Sequence, residues 1–267
     1  MLDVSPHQAA GLQGFMPQAD LRLAAVASDA NPGTGLEPLW QVCAILQRLG
    51  YPVVVLDGTA QETDESPGLI HLLRDGPLRD TAALGSRVPV SSLAVVPAGK
   101  GLDVLGRQAV AAGLAPLADL LPLFRRYGLL VLHAPATTLA SLLTHTATVP
   151  LVIMGQGAAG VLSSYTSLKQ IAVHTGLPCM VAALLRGGSE AERKAARASL
   201  QTLQKCASRH LGGPVRTTTI STQSPQDLQR LALQLLENAG TIQDEPLVAL
   251  RPCGIMRGLS AHLARSH

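Results

Sequence analysis

The chain has 267 residues, enough to bury a full core as one α/β unit or two small ones. Apolar residues make up 47% of it and aromatics only 2%, so the core must be built from Leu, Val, Ile and Ala, which suits buried parallel strands under Ala/Leu-rich helices. Net charge is +3 with 15% charged residues and no dense run of Lys or Arg, and Tyr51, Tyr127 and Tyr165 lie far apart, which argues against a nucleic-acid footprint or a base-stacking platform.

In chain order, Pro6 to Phe15 reads as a short leading helix, and 21–28 (LRLAAVAS) as a buried strand. A loop over 29–35 (DANPGTG) follows, then a helix from Leu36 to Leu49 with Leu39, Val42, Cys43, Leu46 and Leu49 on one face. Residues 51–58 (YPVVVLDG) form a second strand, so strand, Gly-rich loop, helix and strand make a βαβ module, which sets a loop and a helix N-terminus at the carboxyl edge of a parallel sheet. Beyond it the pattern predicts a short helix over 68–76, a strand over 93–99, a helix from Ala115 to Tyr127, and strands over 128–136 and 149–155. A helix from Ala159 to Thr175, a strand over 178–185, a long helix from Ser189 to His210, a strand over 215–221 and a helix from Pro225 to Asn238 complete the series. No internal repeat, low-complexity block or long linker interrupts it, so one domain is the economical reading.

Cys43, Cys179, Cys206 and Cys253 are widely separated and form no zinc-type spacing, so buried reduced thiols are expected and no metal. With no basic-then-apolar leader and no apolar run of about 18 residues, the expected location is the cytoplasm.

The loop after the first strand reads Asn31-Pro32-Gly33-Thr34-Gly35-Leu36-Glu37. Gly-x-Gly after a strand is by itself compatible with an ordinary βα turn. The second strand ends in Asp57, and the strand over 128–136 ends His133-Ala134-Pro135-Ala136. Taken together these stations resemble the MinD/ParA-type P-loop ATPases. In that family the first loop is KGGxGKS/T, the second strand ends in Asp, and a later strand carries Asp before Pro-Ala.

Aligned on Gly33 and Gly35, the signature lysine becomes Asn31, the phosphate-loop lysine Leu36, the magnesium-binding hydroxyl Glu37 and the Walker-B aspartate His133, while Asp57 is kept. The resemblance therefore implies a degenerate site. Both loop cations are gone, and a Glu37 carboxylate roughly 4 Å from phosphate would be repelled by about 4 kcal/mol at an effective dielectric near 20. No cofactor is expected and ATP binding is disfavoured. The competing enzyme reading needs Lys100, Asp57 and His133 to converge at one sheet edge.

The segment His7-Gln8-Ala9-Ala10-Gly11-Leu12-Gln13 resembles the DQAxxLR leading helix of the FlhG (FleN/YlxH-like) branch, with Gln8, Ala9 and Leu12 matching and Gln13 in place of Arg. The resemblance implies a docking element for an FlhF-like GTPase, with Leu12 and Phe15 as anchors. The expected organisation is a docking segment over 1–20, a degenerate MinD-like P-loop domain over 21–250 and a tail over 251–267. The expected fold is a three-layer α/β arrangement, a mainly parallel twisted sheet with helices on both faces. The expected role is that of a catalytically silent regulator of flagellar number or placement, acting by protein binding. The alternatives are a MinD-like accessory of cellulose secretion or a pilus, and an active NTPase using non-standard residues. In the tail, Ile255, Leu259, His262 and Leu263 beside Arg257 and Arg265 offer at most a weak membrane contact at the inner membrane.

Overall fold

The computed structural model describes residues 20–28, 36–75, 93–112, 116–187 and 189–242. Strands β1 (Arg22–Ser28), β2 (Val53–Asp57), β3 (Ala94–Pro97), β4 (Leu129–Pro135), β5 (Leu151–Met154), β6 (Met180–Leu185) and β7 (Arg216–Ser221) form a parallel sheet in the order β3-β2-β4-β1-β5-β6-β7. A two-residue strand β8 (Gly240–Thr241) adds to β1 antiparallel.

Period-two alternation along each strand divides the apolar side chains between two cores. Ala24, Val26, Val53, Val55, Leu129 and Val131 pack under helices α1 (Leu36–Arg48) and α8 (Pro225–Glu237). Leu23, Ala25, Val54, Leu56, Leu130 and Leu132 face the opposite layer. That layer contains α2 (Leu69–Asp75), α3 (Gly99–Ala112), α4 (Leu121–Phe124), α5 (Ala136–Leu142), α6 (Gly157–Thr175) and α7 (Glu190–His210). The structure is thus the expected three-layer α/β fold. The helix after β1 lies on the opposite face from those after β4 and β5, the neighbours of β1. The carboxyl end of β1 is therefore the topological switch point, where ligands of open α/β sheets lie.

Most expected strands and long helices are found within a residue or two of their predicted ends. Three regions differ. Residues 99–112 are helical as α3 although Gly99, Gly101 and Gly106 argue against helix. The glycines are needed for close packing, since a Cβ on Gly101 would stand 2.7 Å from the Leu69 side chain. The helix expected from Ala115 to Tyr127 is instead a 3-10 turn, Ala118–Leu120, leading into the single turn α4. Helix α5, unpredicted, follows Pro135 directly and buries Leu139 and Leu142. Leu49, expected on the buried face of the first helix, lies beyond α1 and is 46% exposed.

Candidate functional site

Strand β2 ends in Asp57, and the register of the parallel pair sets Asp57 opposite His133 of β4. Residues 53, 55, 129 and 131 face the α1 side of the sheet, so period two brings both polar side chains to that face at the carboxyl edge. His133 Nδ1 and Asp57 Oδ1 are 3.2 Å apart, with His133 4% and Asp57 7% exposed. The same Oδ1 accepts the Thr59 amide at 3.0 Å and the Thr59 hydroxyl at 2.6 Å. Gly58 lets the chain turn here: its amide donates to the His133 carbonyl at 2.7 Å, and a Cβ would meet Ala134 Cβ at 2.8 Å.

Burial raises the Asp57 pKa, but hydrogen bonds from His133 and from the hydroxyl and amide of Thr59, with the His133 charge, outweigh it, and the carboxyl is held below its ordinary value. An ionised carboxylate only accepts, so Nδ1 of His133 carries the proton in this contact.

Leu36 opens α1 half-buried, and Glu37 is exposed in its first turn. The remaining loop stations, Asn31, Pro32, Gly33, Thr34 and Gly35, lie outside the described residues, as do the docking candidates Gln8, Ala9, Leu12, Gln13 and Phe15, the tail and Cys253. Of the three residues the enzyme reading requires, Asp57 and His133 meet. Lys100, in the first turn of α3, directs Nζ to the Glu62 carbonyl at 2.9 Å.

Glu62 itself was not singled out by its sequence, lying in the polar stretch between β2 and α2. It is 1% exposed, and its carboxylate accepts the amides of Lys100 at 2.7 Å, Gly101 at 2.9 Å and Ile70 at 3.3 Å. It thus caps the N-termini of α2 and α3 together, supplying the negative charge that a helix N-terminus favours. A second such cap sits at α7. Ser189 Oγ accepts the Glu192 amide at 3.2 Å, while the Glu192 carboxylate accepts the amides of Arg186 at 2.6 Å and Gly187 at 2.9 Å.

Among the described residues no group of three His, Cys, Asp or Glu is placed to hold a metal ion, and no helix is long and apolar enough to cross a membrane. Burial pushes the Cys43 and Cys179 thiols up to about 12, and Cys206 is half-buried.

No protein-family model and no curated protein matches the chain. Among solved structures it is similar to a ParA family ATPase from Chlorobium tepidum, at 13% identity over 82% of this chain and 92% of the other, with TM-score 0.48. It is also similar to Cyanothece McdA in complex with ATP, at 15% identity over 81% and 88% of the two chains, with TM-score 0.48. A third likeness is to MinD from Aquifex aeolicus, at 13% identity over 78% and 86%, with TM-score 0.42.

Proposed function

We propose that the chain is a catalytically silent regulator of the MinD/FlhG type, acting in flagellar assembly by binding protein partners, with an FlhF-like GTPase as the first candidate. The observation that carries the silent reading is the Asp57–His133 pair. At the edge where the family resemblance calls for two carboxylates, one station is an imidazole whose Nδ1–H is bound to the other. Magnesium prefers hard oxygen ligands in octahedral geometry, and this donor set supplies a single carboxylate already holding three donors on one oxygen.

Glu37 supports the same reading from the other side of the site. A carboxylate in the first turn of α1 complements the helix N-terminus with the protein's own charge, where the resemblance implies that phosphates should lie. Asp57, His133 and Glu37 thus argue against phosphate and magnesium here, and no hydrolytic step is assigned to them.

The partner reading rests on Gln8, Ala9 and Leu12 ahead of β1. A short helix binding in a groove relies on a few apolar anchors, and truncating one typically costs about 2 kcal/mol, roughly 30-fold in affinity. Titration of the cognate GTPase should give that loss for Leu12→Ala and abolition on deleting residues 1–18, with little GTPase stimulation because Gln13 replaces arginine. Equal binding by all three proteins would refute the docking role, and strong stimulation by wild type would refute the assignment to Gln13.

A further inference from the structure

An open groove of about 660 Å³ runs between α6 and α7, with Val161, Leu162 and Tyr165 on one wall and Ala198, Thr202 and Cys206 on the other. Leu162 is 68% exposed, and Val173, three turns further along the same side of α6, is 67% exposed. Leu162 lines the groove and Val173 lies beyond it, so the exposed apolar stripe of α6 continues past the groove.

Cations predominate around the groove, with Glu190 and Glu192 confined to the first turn of α7, where Glu192 accepts from Gln156 Nε2 at 2.8 Å. Residues 157–175 contain no Asp or Glu, and after Glu192 none occurs until Asp227. Between residues 120 and 226 there are ten Lys and Arg against two Glu, although the whole chain carries only +3. Helical periodicity sets Lys169 on the Leu162–Val173 stripe and Lys194, Lys205 and Arg209 along the outer flank of Ala198 and Thr202, all exposed. His210 also lines the groove. An apolar floor is thus edged by cations.

We propose that this groove docks an acidic amphipathic helix of a partner protein, its apolar ridge seated on Val161, Leu162 and Tyr165 and its carboxylates facing Lys169, Lys205 and Arg209. Helix-in-groove recognition needs an apolar trough of this kind, and charge at the rim sets the sign of the partner and speeds encounter. Nucleic acid would use the cations but gains nothing from the aliphatic floor. A membrane surface would meet the cations but cannot follow apolar side chains down into a trough. The inference rests on the reading of the chain as a protein-binding regulator but not on its N-terminal segment, so the GTPase titration with Leu12→Ala and the groove experiment fail independently.

The test selects a phage-displayed pool of random 16-residue peptides against the full chain and measures the enriched peptides by fluorescence anisotropy. Apolar residues at i, i+3, i+4 and i+7 flanked by Asp and Glu are the expected enrichment. Leu162→Asp should weaken the selected peptides by about 10-fold or more, equivalent to about 1.4 kcal/mol. The pair Lys205→Glu with Arg209→Glu should weaken them by a similar factor and flatten their salt dependence. All three positions are exposed, and an unchanged thermal melt confirms that each variant is folded. Enrichment of basic or featureless peptides, or binding indifferent to these substitutions, would overturn the proposal. So would tighter binding of phosphatidylglycerol vesicles or a 20-base-pair duplex to the same residues, or self-association abolished by Leu162→Asp.

Discussion

Replacing Asp57 by Ala removes at once the acceptor of three hydrogen bonds, from His133 at 3.2 Å, the Thr59 amide at 3.0 Å and the Thr59 hydroxyl at 2.6 Å. Hydrogen bonds to a charged group contribute about 1.5–3 kcal/mol each, but the exposed Thr59 can turn its groups to water, whereas the buried His133 N–H cannot. The expected loss is therefore about 3 kcal/mol at pH 7, dominated by the stranded imidazole. For a domain of this size that corresponds to a fall of roughly 6–12 °C in Tm. Because the folded carboxyl holds its proton less tightly than the unfolded one, the part of the stabilisation that depends on its charge is complete above the ordinary carboxylate value of ~3.9 and is lost as pH falls through the lower folded value. Urea titrations of wild type and Asp57→Ala from neutral to strongly acidic pH should show a gap that narrows only towards the acid end. A variant that melts with wild type at pH 7, or a gap unchanged in strong acid, would refute this account of the pair.

Glu62→Ala should lower stability by about 2–3 kcal/mol in chemical denaturation, since three backbone amides lose a buried charged acceptor and only part of that loss can be made good by water. Ser189→Ala should cost about 1 kcal/mol by the same assay, the ordinary value of an N-cap, with Glu192 retaining its contacts to the loop. Gly101→Ala should destabilise by roughly 1–3 kcal/mol, because the new methyl enters the Leu69 side chain where α2 and α3 meet. Protection of the α3 amides from hydrogen exchange should fall in that variant, and unchanged protection would show that the two helices can part without cost.

The sheet was legible because continuous apolar runs such as 53–56 and 129–132 are what strands buried on both faces require. The long helices were legible for a related reason: α7 carries its own start signal in Ser189 and Glu192, and α8 in Ser224, Pro225 and Asp227. Helix α3 was not, because its glycines report a close approach to α2 that only the folded chain reveals. Asp57 and His133 were singled out through the resemblance, but their mutual hydrogen bond depends on β2 and β4 being neighbours, although they are separated by β3 in sequence. Glu62 left no signal at all, since a buried carboxylate and a solvated one look alike in a polar stretch. The excess of cations on the helices that flank the groove was hidden for a different reason. It comes from the scarcity of acids across 120–226 rather than from a run of bases.

The most direct test of catalytic silence is phosphate release by the purified full chain with magnesium and ATP, read as a rate proportional to protein concentration and accompanied by light scattering. No magnesium-dependent release and no ATP-induced conversion of monomer to dimer are expected on the proposed reading, because the resemblance sets Leu36, Glu37 and His133 at its catalytic stations and Asn31 where its cross-subunit lysine stands. Sustained turnover of even about 0.01 per second, against about 10 per second for a typical enzyme, or a dimer that forms only when ATP is added, would contradict it.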